Sequence, residues 1–454
     1  MRVKLCRGAS ALLLMTAAGC ALMAGVEKKD LPPIDGAADD GDGIDGVPEA
    51  EGLEEEDDAA VDDPPVDPPS EDAETEPSCS MTGNLRVTEA ARVSSSPSTA
   101  WNGANGVYGL AWYDERAVTG IFDIYFAQMA PDGAKVGDDS HIETSVFFSF
   151  DPSLVFSGSE YAVAWHDFRC ADVGWAPEIF FARIGTAGSK IDDDVRVTDQ
   201  AGESRNASLV VNGEGFGVAW EDERSGAGQP DIFFARLDPT GAKIGSDVGV
   251  TSTHVRAVKP SLAFTGSQYG AAWEDERDGN SEIYFNLIGS DGALAGENVR
   301  ITDATGSSAV PALAWDGAGF GLAWYDGREG GLGVYFAAVD AGGNKVGSDV
   351  RVAEAFESPS DGEKLDLAWS TEESLFGLVW HDDRDGNLEI YFARLQADGT
   401  KPGPDVRVSD GLEDSDQPDL AWSGSRWGIV WKDYRQAADN PEIYFSILSC
   451  DPTP

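Results

Sequence analysis

Basic residues are scarce in this sequence. Only 32 Lys and Arg stand against 81 Asp and Glu, a formal net charge of −49 over 454 residues. Nucleic acid demands a basic face for its phosphates, so that class of partner is excluded, and docking on anionic lipid is disfavoured for the same reason. Long apolar runs are also missing. The one candidate, inside "MRVKLCRGASALLLMTAAGC" (residues 1–20), is about a dozen residues long, and a spanning helix needs roughly 20. No segment of helical length carries a 3.6-residue apolar period, which leaves no basis for a helical domain. Cysteine occurs at five positions, 6, 20, 79, 170 and 450.

What is present begins with an export signal over residues 1–19. Arg2, Lys4 and Arg7 precede the apolar run, which ends in small residues. The ending "AAGC" resembles the lipobox of bacterial lipoproteins, with Ala17 where Leu is commoner. The resemblance implies that Cys20 is diacylated, with palmitate-type chains, and becomes the new N-terminus. An ordinary secretory signal cleaved nearby is the alternative. Ala21 stands where enteric inner-membrane lipoproteins carry Asp, which implies the outer membrane or cell surface.

Residues 20–78 then read as the lipid-bearing Cys and a disordered acidic linker. From Ala21 to Ser78, 21 acidic residues face only Lys28 and Lys29, with almost no aromatic or β-branched content. Such a chain cannot bury enough apolar area to offset its ordering entropy. "DDGDGIDG" (39–46) has the Asp/Gly make-up of a calcium loop, but a single copy reads as linker. The body, 79–454, carries −33. That balance favours solubility and a monomer, and leaves room for cationic ligands; calcium fits several acidic turns, none with a diagnostic spacing.

The body repeats one pattern seven times. Trp112, Trp165, Trp220, Trp273, Trp324, Trp380 and Trp431 are each followed two residues later by Asp. Those are Asp114, Asp167, Asp222, Asp275, Asp326, Asp382 and Asp433. Two further on come Arg116, Arg169, Arg224, Arg277, Arg328, Arg384 and Arg435, at intervals of 51 to 56 residues. Each unit reads as four short strands, as in "PSLAF" (260–264), "YGAAWEDE" (269–276), "EIYFNLI" (282–288) and "NVRIT" (298–302). The expected fold is all-β: a seven-bladed propeller of four-stranded blades.

The ends of the array sharpen this reading. The body opens on a lone fourth strand, "NLRVTEA" (84–90), and closes on a third, "EIYFSILSC" (442–450). The N-terminal strand should therefore complete the last blade and leave no open edge. Aligning the end units with the third unit puts Cys450 at the place of Pro239 and Cys79 at that of Ala242, in one hairpin loop. A Cys79–Cys450 disulfide is expected, and an exported location permits it. Cys170 is left without an obvious partner.

Seven-fold recurrence of Asp and Arg argues for construction, because a catalytic constellation is normally asymmetric. The expectation is an Asp–Arg pair, exposed and worth about 0–1 kcal/mol, with Trp packed between neighbouring sheets. "RDGN" (277–280 and 384–387) supplies the turn. "AWEDERDGNSEIYF" with "NVRIT" resembles the repeats of TolB-type periplasmic propellers and the degenerate repeats of sialidase-like (BNR) propellers. The resemblance spans the body and implies blade architecture. It departs where the third strand leads into "DPTGAKIG" (238–245), not a sialidase Asp box, and no Arg-Ile-Pro segment is present. No catalytic residue is carried over.

Candidates for function are the positions that break the repeat. First strands should line the central channel, and one of their positions reads Ser98, Ser153, Ser208, Ser261, Ala312, Asp366 and Asp419 in turn. The two carboxylates could hold a cation, or could simply form a solvated wall. His166 and His381 follow Trp at what reads as a variable rim position, not a metal site. The longer loop "FRCADVGWAPE" (168–178) offers Cys170 and Trp175 for recognition. Three functions follow: a non-enzymatic surface lipoprotein binding an envelope protein or glycan; a sialidase-like glycoside hydrolase, for which Asp366 and Asp419 are the only visible pair; or a TolB-like envelope scaffold.

Overall fold

A computed structural model describes residues 79–90, 92–143, 147–169, 176–356, 364–437 and 439–451. The signal, Cys20, the acidic linker, Cys170 and Trp175 lie outside them. Among the described residues there is no helix; every regular element is a β-strand. Seven antiparallel sheets form the blades, six of four strands and the last with its fourth place shared by two short N-terminal strands. In the fourth blade the strands are Ala257–Phe264, Gln268–Asp275, Glu282–Gly289 and Val299–Arg300. Val, Ile, Tyr, Phe and Trp fill them because those side chains pack on a pleated, buried surface.

The core is divided into seven apolar clusters, each shared by two adjacent blades, and one of them joins blade 7 to blade 1. The ring is therefore closed. A small device in the second strand sets the spacing between sheets. Gly270 lies under the Phe320 ring of the next blade, and a Cβ there would come within 2.5 Å of it. Gly109, Gly217, Gly321, Gly377 and Gly428 sit likewise beneath Tyr161, Tyr269, Phe376, Trp427 and Tyr108. Glycine at this position lets each aromatic ring reach the neighbouring sheet.

The N-terminal segment completes blade 7. Cys79–Met81 and Leu85–Arg86 both pair with the last strand, Glu442–Cys450. Side chains repeat the join: Arg86 Nη2 lies 2.8 Å from Glu442 Oε1, and Thr88 donates to Glu442. Blade 4 makes the same bonds within one continuous unit, from Arg300 and Thr302 to Glu282. Cys79 and Cys450 are disulfide-bonded, 371 residues apart. They face each other directly, as Met81 faces Leu448; Lys243 faces Leu237 in blade 3. Counting back, Cys79 corresponds to Gly241 and not to Ala242. The gap-free alignment missed a one-residue difference in the fourth-strand bulge.

Candidate functional site

The repeated Trp, Asp and Arg form one intrablade knot. Each Asp is at most 1 % exposed and each Trp is fully buried. Trp Nε1 donates to Asp Oδ2 at 2.7–3.1 Å, and the Arg backbone N–H to Asp Oδ1 at 2.7–3.2 Å. Arg Nη2 closes on Oδ2 at 2.5–2.7 Å. The guanidinium lies 4.0–4.6 Å over the third-strand aromatic ring. The expectation of an exposed, weak pair is thus corrected. The Asp is a buried hub, and the chain turning back over it removes it from water.

Chemistry then has to be sought in the channel. The first strands line a cavity of about 390 Å³. At its wall, Ser98 Oγ accepts the N–H of Leu154 in the next blade at 3.1 Å. Ser153, Ser208 and Ser261 repeat the clasp on Leu209, Leu262 and Leu313 at 3.0–3.1 Å. Ala312 cannot do so. Asp366 makes good the loss, since its Oδ1 accepts its neighbour Leu367 N–H at 2.9 Å and its Oδ2 accepts Leu420 N–H at 3.1 Å. Asp419 then accepts Thr99 N–H at 2.7 Å and closes the circle. The two carboxylates accordingly serve as blade clasps as well as channel wall. Lys364 Nζ lies 2.8 Å from Asp419 Oδ2 and also donates to the Pro97 carbonyl at 2.8 Å. Burial first, and the Asp419 charge second, push the Asp366 carboxyl well above the ordinary range.

Two residues before the clasp, the first strand bulges in six of the seven blades. Ser96, Asp151, Asn206, Lys259, Val310 and Gln417 there adopt φ between 48° and 56°. Left-handed backbone is uncommon for any of them, and for the β-branched Val310 it is a true outlier. These side chains and Lys364 ring the channel mouth, and no two adjacent blades present the same one. The ring is locked by neighbours: Gln417 Oε1 accepts the Ser95 hydroxyl and Ser96 N–H, both at 2.9 Å, and Ser96 Oγ donates to Asp151 at 2.7 Å. Sequence reading passed over this ring, although a Pro following in five blades marks it (97, 152, 260, 311 and 418).

Behind the mouth lies the position after Trp. His166 and His381 are 4 % and 0 % exposed, so they are not rim residues. His166 lies opposite Phe150 of the first strand, and His381 packs 5.7 Å from the Tyr325 ring of the preceding blade. Both His381 ring nitrogens lack a hydrogen-bond partner, and burial lowers its pKa to about 4. Glu221 and Lys432 occupy the equivalent positions, and Lys432 pairs with Asp416 at 3.0 Å. Among the described residues, no group of three or more His, Cys, Asp or Glu is arranged to hold a metal ion. Of the long loop in blade 2, residues 168–169 and 176–178 are described; Phe168 packs with Phe148 and Phe150, both at a ring distance of 6.2 Å.

No family model and no curated protein matches the sequence. Solved structures do resemble it. A TolB from Agrobacterium tumefaciens is 14 % identical over 62 % of this chain and 93 % of its own, with TM-score 0.37. Trypanosoma rangeli sialidase with the inhibitor DANA is 10 % identical over 81 % and 59 %, with TM-score 0.44. The propeller domain of the Trilobed protease from Pyrococcus furiosus is 10 % identical over 78 % and 95 %, with TM-score 0.46. The likeness is one of fold alone.

Proposed function

We propose that the chain is an exported, lipid-anchored binding module whose channel-mouth face receives an envelope protein or glycan. The acidic segment after Cys20 would hold the propeller away from the outer membrane or cell surface. The observation that carries this reading is the asymmetry of the mouth: a ring of near-identical blades presents Ser, Asp, Asn, Lys, Val, Lys and Gln at equivalent positions. Binding faces need such differences, whereas a scaffold alone would gain nothing from straining the backbone at six of the seven positions. Hydrolysis of a glycoside would require two carboxylates placed to donate a proton and to attack or activate water. Asp366 already bonds an N–H through each oxygen, and Asp419 bonds Thr99 and Lys364.

The test is a glycan array, a capture experiment from envelope extract and a glycoside hydrolysis assay, all on residues 79–454. Capture of a glycan or protein that is lost in Gln417→Ala or Asp151→Ala supports the proposal. Turnover abolished by Asp419→Asn would replace it with the sialidase-like reading. Co-purification with envelope proteins that is indifferent to mouth substitutions would favour a TolB-like scaffold.

A further inference from the structure

The channel is chemically polarised. On blades 1 to 4, the hydroxyls of Ser98, Ser153, Ser208 and Ser261 each commit an oxygen lone pair to a neighbour's N–H. None of the four hydroxyl protons has an acceptor among the described residues, so an arc of four donors lines one side of the cavity. Lys259 stands at the mouth of the same arc. Its backbone N–H is held by Glu221 at 2.7 Å, while its ammonium has no hydrogen-bond or ion-pair partner among the described residues. Across the channel, blades 6 and 7 present Asp366 and Asp419. Lys364 answers Asp419, but no cation is bonded to Asp366. Between the two poles, blade 5 contributes Val310, Pro311 and Ala312, an apolar patch.

We propose that this cavity binds a small zwitterion, an α-amino acid or dipeptide with an apolar side chain. Its carboxylate takes the serine arc and Lys259, its ammonium takes the Asp366 side, and its side chain lies on blade 5. The inference rests on the mouth being a binding face. The cavity, at about 390 Å³, is of the size small-molecule sites have. Each pole alone would suit a simple anion or cation, but both poles in one cavity select a molecule that carries both charges. Lost contacts at either end should then cost affinity steeply, because a desolvated charge would be left unpaired. Asp366 adds a signature. The groups facing it are Asp419 and Lys364, and blade 5 offers it no charge. Burial and Asp419 favour its protonated form. An arriving ammonium displaces that proton, so binding should release protons and strengthen as pH rises through the Asp366 titration.

The experiment is isothermal titration calorimetry on the full chain, in two buffers of different ionisation enthalpy. The probes are L-leucine, N-acetyl-L-leucine, L-leucinamide, glucose and calcium chloride. L-Leucine is expected to bind with proton release, and each capped form at least about tenfold more weakly, the loss of one ionic contact. Lys259→Met should weaken L-leucine by about the same factor and leave L-leucinamide unchanged. Asp366→Asn should abolish the proton release. Because that variant disturbs two clasps, Lys259→Met keeps the test decisive if it unfolds. Absence of L-leucine binding by folded protein, equal binding of the capped forms, or glucose or calcium binding in its place would overturn the inference. A chain that captures a macromolecule but ignores L-leucine loses this inference and keeps the function proposed above. One that binds L-leucine but no macromolecule does the reverse.

Discussion

Asp275 shows how much one side chain can carry here. It accepts from Trp273 Nε1 at 2.9 Å and from the Arg277 backbone and Nε at 3.0 and 2.8 Å, with no exposure to water. Asp275→Ala would orphan a buried indole N–H and a half-buried guanidinium. The expected loss is about 3 kcal/mol, read as a lowered urea midpoint. Asp366 behaves differently. Its folded-state pKa lies above its unfolded one, so the folded form holds the proton more tightly. Its contribution is fully present below the ordinary carboxylate range and is lost as pH rises toward the raised value. The stability of Asp366→Asn relative to the parent should therefore improve from about pH 4 to about pH 8 and level off above it. Parallel curves at every pH would contradict this.

A blade is held to its neighbour by a glycine and a ring. With Phe320 only 2.5 Å from a Cβ at position 270, Gly270→Val forces the two sheets apart. Overpacking of this kind costs about 1–3 kcal/mol. Gly226→Ala is the control, since nothing lies within 4 Å of the added Cβ. A thermal melt should show a clear loss for the first and none for the second. The sequence displays this device openly as an aromatic residue, Gly, two residues and Trp, in six of the seven units. Its purpose became apparent only with the next blade in place, because the two halves of the contact are 50 residues apart.

At the scale of the ring, closure depends on one junction. Blade 7 takes its fourth strand from the far end of the chain, and the Cys79–Cys450 bond fastens that strand at the outer edge. Removing the bond, by Cys450→Ser, should cost roughly 2–5 kcal/mol, the range for closing a long loop. The parent protein with reductant should match the variant without it. Deleting residues 79–90 goes further. It bares the edge of Glu442–Cys450, and the protein should then self-associate through that strand, visible by light scattering. A monodisperse deletion variant would show that the interblade cores alone suffice.

Periodicity by itself determined a great deal about this protein. The count of blades, the strand order, the strand that closes the ring and its disulfide all follow from spacing, since repeated units must bury their faces on one another. The tertiary structure decided burial and partnership. Asp275 and its six counterparts were expected in solvent and are sealed from it, and His166 and His381 were expected at the rim and lie beneath it. Asp366 looked like an exception to a serine position; in the ring it fills the gap left by Ala312 one blade earlier. No spacing rule could reveal that. Within one strand the position is only a letter, whereas across a closed ring each letter must satisfy the backbone of its neighbour.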